Sequence, residues 1–268
     1  MPPEPPSSPP AGGAGLDAAA PRGIVFDLDG TLIDSRRDIA TAVNHMRAER
    51  GLAPLPVEEV SGMVGEGARM LVRRALPPWP PGAGQDDLKE ALASYLAHYA
   101  EVCLATTQAY PGVAAMLATL APSFPLAVLS NKGEALSRHI LRGLGLDRYL
   151  REVIGGDTLP TRKPNPGGLI LLADRMGIPA SRLLLVGDTW IDARTAQAAG
   201  SAFALTLWGD EPRAGGPAVA AVAVAVAAGA SAGASAGAAD PVDATPRWRL
   251  AHPRDLPAAL GLADEGEG

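Results

Sequence analysis

The chain has 268 residues, 47% apolar but only 4% aromatic, so one large or two small domains with an aliphatic core are within reach. Its 23 basic and 29 acidic residues leave a net charge of −6, which argues against nucleic acid or an anionic membrane as a dominant partner. One cysteine, Cys103, rules out an intrachain disulfide framework, and the four scattered histidines form no HxH or HExxH pair for zinc.

Taken in chain order, residues 1–20 read as a disordered Pro/Ala/Gly-rich tail. The first ten hold six prolines and lack the basic and apolar runs of a secretory signal. Residues 22–28 predict a short buried strand ended by Asp-Gly. A helix over 35–50 follows, with Ser35 as its N-cap and Gly51 as its stop. From 57 to 104 the pattern is helical throughout, broken by Gly and Pro clusters such as PPWPPGAG. After residue 110 strands and helices alternate. Strands are expected at 125–130, 152–154, 182–187 and 202–207, and helices at 113–121, 133–143, 165–176 and 189–199. Apolar strands without alternation imply a parallel sheet covered on both faces. The reading is an α/β fold, Rossmann-like, interrupted after its first strand by an all-helical block too long for a loop, hence an inserted cap. Its bounds are 36–107 for the cap, and 21–35 with 108–268 for the core.

Residues 218–239 contain only Ala, Val, Gly and Ser. The part free of Gly and Ser is about half the length of a membrane span, and alanine drives insertion weakly. The segment reads as a low-complexity insertion, and the chain as cytoplasmic without a membrane partner.

In open parallel sheets, sites lie beyond the carboxyl ends of the strands. Four such ends carry polar groups here. In Phe26-Asp27-Leu28-Asp29-Gly30-Thr31 the two carboxylates sit at i and i+2, on one side of an extended chain. Like charges that close need a cation or a proton between them, and a hard divalent ion such as Mg²⁺ suits oxygen ligands. Leu129-Ser130-Asn131-Lys132 offers a hydroxyl and a backbone N–H for an anionic oxygen, or simply a helix cap. Arg162-Lys163-Pro164-Asn165-Pro166 offers a cation, or a solvated loop. In Val186-Gly187-Asp188-Thr189-Trp190-Ile191-Asp192, Asp188 ends a strand and Asp192 returns one helical turn later, a pattern for a metal ligand and its support. The competing role for Asp188 is N-capping of that helix.

In order and spacing, FDLDGTLIDS, LSNK, KPNP and GDTWID resemble the motifs of the haloacid dehalogenase-like phosphatase superfamily, across nearly all of residues 22–207. The segment 64–76 is similar to the cap of the phosphoglycolate phosphatase group, and 249–256 to that group's last strand and helix. The resemblance implies Asp27 as nucleophile, forming an aspartyl-phosphate, and Asp29 as acid and then base. It implies Mg²⁺ on the Asp27 carboxylate, the Asp29 carbonyl and the Asp188 carboxylate, with Asp192 as support. Ser130 and Lys163 would hold the phosphoryl group, with added contacts from Thr31 and Asn131. Dehalogenases of the superfamily lack the carboxylate that Asp29 supplies. Phosphonoacetaldehyde-type enzymes need a cap lysine, and only Lys89 is available, in an acidic helix. The expectation is a phosphoric monoester hydrolase acting on a small phosphorylated metabolite, first 2-phosphoglycolate, with Glu66, Gly67 and Arg69 of the cap reaching over the site. Pyrophosphate, a nucleoside monophosphate or a sugar phosphate on the same machinery, a sugar-phosphate mutase, and a catalytically idle scaffold remain alternatives.

Overall fold

A computed structural model of the chain describes residues 20–77, 85–209 and 246–262. The N-terminal tail up to residue 19 and the Ala-rich segment 218–239 lie outside the described residues.

Strand β1 (Gly23–Phe26) is apolar at every position and wholly buried. It pairs in parallel with β4 (Leu126–Leu129) on one side and β6 (Leu183–Gly187) on the other. With β5 (Glu152–Ile154), β7 (Ala202–Thr206) and β8 (Trp248–Leu250), these form one parallel six-stranded sheet in the order β5-β4-β1-β6-β7-β8. Alternate residues feed opposite layers. Ile24, Phe26, Val128, Leu184 and Val186 enter one core, while Val25, Ala127, Leu129 and Leu185 enter the other. Two covered faces explain why these strands are continuously apolar. The chain turns to opposite sides of β1 for β4 and β6, which makes the carboxyl end of β1 the switch point where such folds bind ligands.

The helical insert leaves the core through β2 (Ile33–Asp34) and returns through β3 (Gln108–Ala109), which pair antiparallel. This ribbon is not foreseen in the sequence, because two-residue strands show no alternation. Between them lie α1 (Arg36–Ala48), α2 (Val57–Ser61), α3 (Ala68–Ala75) and α4 (Gln85–Val102). In the core, α5 (Val113–Leu120), α6 (Glu134–Gly143), α7 (Gly167–Met176) and α8 (Trp190–Ala199) alternate with strands, and α9 (Asp255–Ala259) follows β8. The observed elements fall within a residue or two of the expected ones. No helix among the described residues is long and apolar enough to cross a membrane.

Two side chains at the ribbon depart from simple capping. Ser35 stands at the N-cap position of α1 without making a side-chain cap. Its hydroxyl instead donates to Asp29 Oδ1 at 2.5 Å. Asp38, in the first turn of α1 and 1% exposed, accepts from both backbone N–H groups and both hydroxyls of Thr106 and Thr107, at 2.7–3.0 Å. Outgoing and returning chain are thus tied together by one carboxylate. Burial alone would push that carboxyl up, but the bonds from Thr106 and Thr107 outweigh it and hold it below its ordinary 3.8. A depressed acid stabilises the fold above its unfolded value, and that contribution disappears as pH falls through its folded value. Asp38→Ala is expected to cost about 3 kcal/mol at pH 7, since it strands buried donors of charge-assisted bonds. Urea unfolding should show the gap from wild type narrowing below pH 4, about the ordinary carboxyl value.

Candidate active site

Asp27 follows β1 directly, its N–H donating to the carbonyl of Val186 on β6 at 2.8 Å. Gly30 then takes a φ of 89°, a left-handed conformation that glycine adopts without strain, and the chain folds back so that the Leu28 carbonyl accepts from Leu32 and Ile33. This turn buries Thr31, whose hydroxyl reaches Asp188 Oδ1 at 3.4 Å. Trp208 Nε1 donates to the Thr31 carbonyl at 2.9 Å, bracing the turn from beyond β7.

The end of β6 supplies the other acids. The N-cap of α8 is Thr189, which forms a reciprocal capping box with Asp192, so Asp188 does not serve as the cap. Asp192 is fully buried and divides its two oxygens. Oδ2 accepts from the Thr189 hydroxyl at 2.7 Å and its N–H at 3.2 Å, while Oδ1 accepts from Lys163 Nζ at 2.6 Å. Lys163 arrives on the loop after β5, is 5% exposed, and also donates to Asp27 Oδ1 at 2.7 Å. Carboxylate oxygens of Asp27, Asp188 and Asp192 all lie within 4.8 Å of one another.

These charges set the proton affinities. Burial pushes the Asp27 carboxyl up to about 7, against the pull of Lys163 and with repulsion from Asp192 and Asp188 added. Burial opposes the charge on Lys163, but Asp192 and Asp27 outweigh it and hold its ammonium above the ordinary lysine value. Three acids around one ammonium leave a net negative site of oxygen donors only, which fits a hard divalent cation.

A cleft of about 640 Å³, open solvent at its mouth included, lies between the sheet end and the insert. Asp27, Asp29, Ser130, Asn131, Lys163 and Gly67 line it. Thr31 and Asp192 are fully buried behind that lining, while Asp188 is half-buried and stands with Asp27 at the acidic cluster. Ser130 Oγ accepts from the Lys132 N–H at 3.2 Å, which leaves its own proton to give. Asn131 Nδ2 donates to the carbonyls of Gly65 and Lys163, both at 2.9 Å, joining the insert to the lysine loop. Gly67, at a φ of 87°, sits so close that a Cβ would meet the Asn131 carbonyl at 3.2 Å and Arg162 at 2.5 Å.

Two of the insert residues expected over the site are turned elsewhere. Glu66 is ion-paired with Arg74 on the surface. Arg69 is exposed, because α3 buries Leu71, Val72 and Ala75 and leaves its arginines on the other side. The structure brings in two residues that sequence reasoning passed over. Lys132 Nζ donates to Asp29 Oδ1 at 2.5 Å and to the Tyr99 hydroxyl at 2.8 Å. The available signals were the position of Lys132 beside Asn131, and Tyr95 and Tyr99 one turn apart on α4.

An acid whose folded pKa exceeds its unfolded one destabilises the fold as pH rises from 3.8 through about 7, and a bound cation removes that penalty. A saturating divalent cation is therefore expected to raise Tm by about 5 °C. The gain should be larger at pH 8 than at pH 5, and lost in Asp188→Asn. Differential scanning fluorimetry with Mg²⁺ or EDTA measures it.

Comparison with known proteins agrees with this geometry. A family model described as haloacid dehalogenase-like hydrolase matches residues 21–200. A phosphoglycolate phosphatase of Rhodospirillum rubrum is 45% identical over 185 residues, covering 67% of this chain and 77% of the relative. Phosphoglycolate phosphatase 1 of Pseudomonas aeruginosa is 41% identical over 192 residues, 70% of each chain. The crystal structure of a predicted phosphoglycolate phosphatase from Haemophilus somnus superposes with a TM-score of 0.72 at 26% identity, covering 88% of this chain and 96% of that one. The family match over most of the described core, the relatives at 45% and 41% identity and the shared fold agree, and the chain belongs to the haloacid dehalogenase-like hydrolase family.

Proposed function

We propose that the chain hydrolyses 2-phosphoglycolate to glycolate and phosphate, with Mg²⁺ held by the carboxylates of Asp27 and Asp188 and the main-chain carbonyl of Asp29. The chain is a phosphoric monoester hydrolase, and its substrate a small phosphorylated metabolite. The observation that carries the reading is the convergence of three carboxylates on one spot, with a single buried ammonium against two of them. When bound, the cation supplies the charge neutralisation that lets an anionic nucleophile approach a phosphate dianion.

Asp27 attacks phosphorus through a carboxylate oxygen, and the ester P–O bond breaks. Asp29 gives a proton to the departing alkoxide, then takes one from the water that opens the aspartyl-phosphate, which restores Asp27. Lys163 and Ser130 hold phosphoryl oxygens. Asp192 orients Lys163, and Thr31 and Asn131 position Asp188 and the lysine loop. Residues 36–107 act as a cap on a core of 21–35 and 108–268, with the β2–β3 ribbon as its hinge. The pairing of outgoing and returning chain supports this division. The names of the relatives support phosphoglycolate as the substrate.

Phosphate release from 2-phosphoglycolate, beside a panel holding pyrophosphate, nucleoside monophosphates and sugar phosphates, tests the reading. Turnover should be abolished by EDTA, reduced at least about 10³-fold in Asp27→Asn, and about 10²- to 10⁴-fold in Asp29→Asn. Preference for another panel member with the same dependences would keep the mechanism and replace the substrate.

A further inference from the structure

We propose that Lys132 is the residue that selects the substrate's carboxylate, its ammonium set in place by Asp29 and Tyr99. This rests on the reading of the substrate as 2-phosphoglycolate.

The cleft has few ways to recognise a second negative charge. Among the described residues lining it, the only cations are Lys163 and Lys132. Lys163 lies on the phosphoryl side, engaged by Asp27 and Asp192. The wall supplied by the insert is largely apolar, built from Ile39, Val64, Leu71, Tyr95 and Leu96, with Leu136 of the core beside it. Arg69, Arg73 and Arg74 of α3 are exposed, and Arg74 is engaged by Glu66. A carboxylate left in this cleft without a cation would suffer the full cost of burying a charge.

Lys132 answers that need in position and in valence. Its side chain is 7% exposed, and Nζ contacts Asp29 Oδ1 and the Tyr99 hydroxyl. An ammonium has three N–H donors, so these two acceptors leave one. Tyr99 also places its ring 5.0 Å from Nζ, restricting where the side chain can go. Burial, with repulsion from Asp29 added, holds the Tyr99 phenol in its neutral form, so its hydroxyl keeps a proton to donate. The position follows from the chemistry of the leaving group. Asp29 serves the ester oxygen, and in phosphoglycolate the carboxylate is one methylene from that oxygen. A cation bonded to Asp29 therefore stands where the carboxylate arrives. Tyr99 belongs to α4 of the insert and Lys132 to the core, so the recognition requires both parts together.

The test compares kcat/KM for 2-phosphoglycolate and for 2-hydroxyethyl phosphate, which carries CH₂OH in place of the carboxylate. Wild type is expected to prefer phosphoglycolate. Lys132→Met should shrink that preference roughly 10- to 100-fold, the range for losing a charge-assisted bond, chiefly by raising KM for phosphoglycolate. Tyr99→Phe, which keeps the ring and releases Lys132, should shrink it about 3- to 10-fold, as for a neutral hydrogen bond. It decides the matter alone if Lys132→Met does not fold. Equal losses on both substrates would make Lys132 only a positioning residue for Asp29, and would overturn the proposal while phosphoglycolate stands as substrate. A wild type that hydrolyses both esters equally well would instead overturn the substrate reading, and this proposal with it.

Discussion

The contact on which the site depends is the buried ammonium of Lys163 between Asp27 and Asp192, at 2.7 and 2.6 Å. Removing one member of such a group leaves an uncompensated buried charge, at a typical cost of about 3–5 kcal/mol. The arrangement is also deliberately incomplete. With Asp188 included, three carboxylates face one ammonium, and burial, with repulsion from Asp192 and Asp188 added, pushes the Asp27 carboxyl up to about 7 against the pull of Lys163. A carboxyl held in that state is a poor nucleophile, the role proposed for Asp27, until further positive charge arrives. The fold builds a site that resists the ionised form of Asp27 and thereby favours a bound cation.

The backbone makes that arrangement affordable. Asp27 and Asp188 follow adjacent, wholly buried strands, so their positions are set by the register of β1 and β6 and by cores on both faces. Asp192 is held by the capping box of α8, which uses one carboxylate oxygen and presents the other to Lys163. A single helix start thus satisfies its own backbone donors and orients the lysine. Lys163, the one member on a long loop, is restrained through its carbonyl by Asn131.

What could be read from the sequence follows from the same division. The strands that carry Asp27, Ser130 and Asp188 are apolar runs ended by polar residues, and each ends within a residue or two of its expected limit. The acid pair at 27 and 29 was legible because i and i+2 share a side of an extended chain. The role of Ser35 was not. Capping is the ordinary use of a serine before a helix, and only the Gly30 turn brings Asp29 within its reach. The β2–β3 ribbon was hidden by its brevity, and with it the reason for Asp38, whose partners lie 68 and 69 residues away. In the insert, charge was a poor guide. Arg69 and Glu66 look functional in a Gly-rich turn, yet the amphipathic face of α3 decides their direction. Lys132 was missed for the converse reason, since its partner Tyr99 comes from a helix 33 residues upstream that periodicity alone cannot orient.

One short loop after β4 touches both halves of the molecule. Ser130 lines the cleft, Asn131 bonds the Gly65 carbonyl of the insert, and Lys132 bonds Tyr99 of α4. The same loop touches both carboxylate centres, directly at Asp29 and through the Lys163 carbonyl on the side of Asp27. Displacing the insert breaks the bonds of Asn131 to Gly65 and of Lys132 to Tyr99, and the same two side chains also bond the lysine loop and Asp29. If the insert is the proposed cap, its seating and the assembly of the proposed reacting groups are therefore one event. On the proposed roles, a substrate that fills the cleft and engages Lys132 stabilises the state in which Asp29 is oriented for proton transfer. A phosphate ester too small to do so meets a site less completely formed. Discrimination of this kind needs no separate sensor, because the residues that grip the insert also position the chemistry.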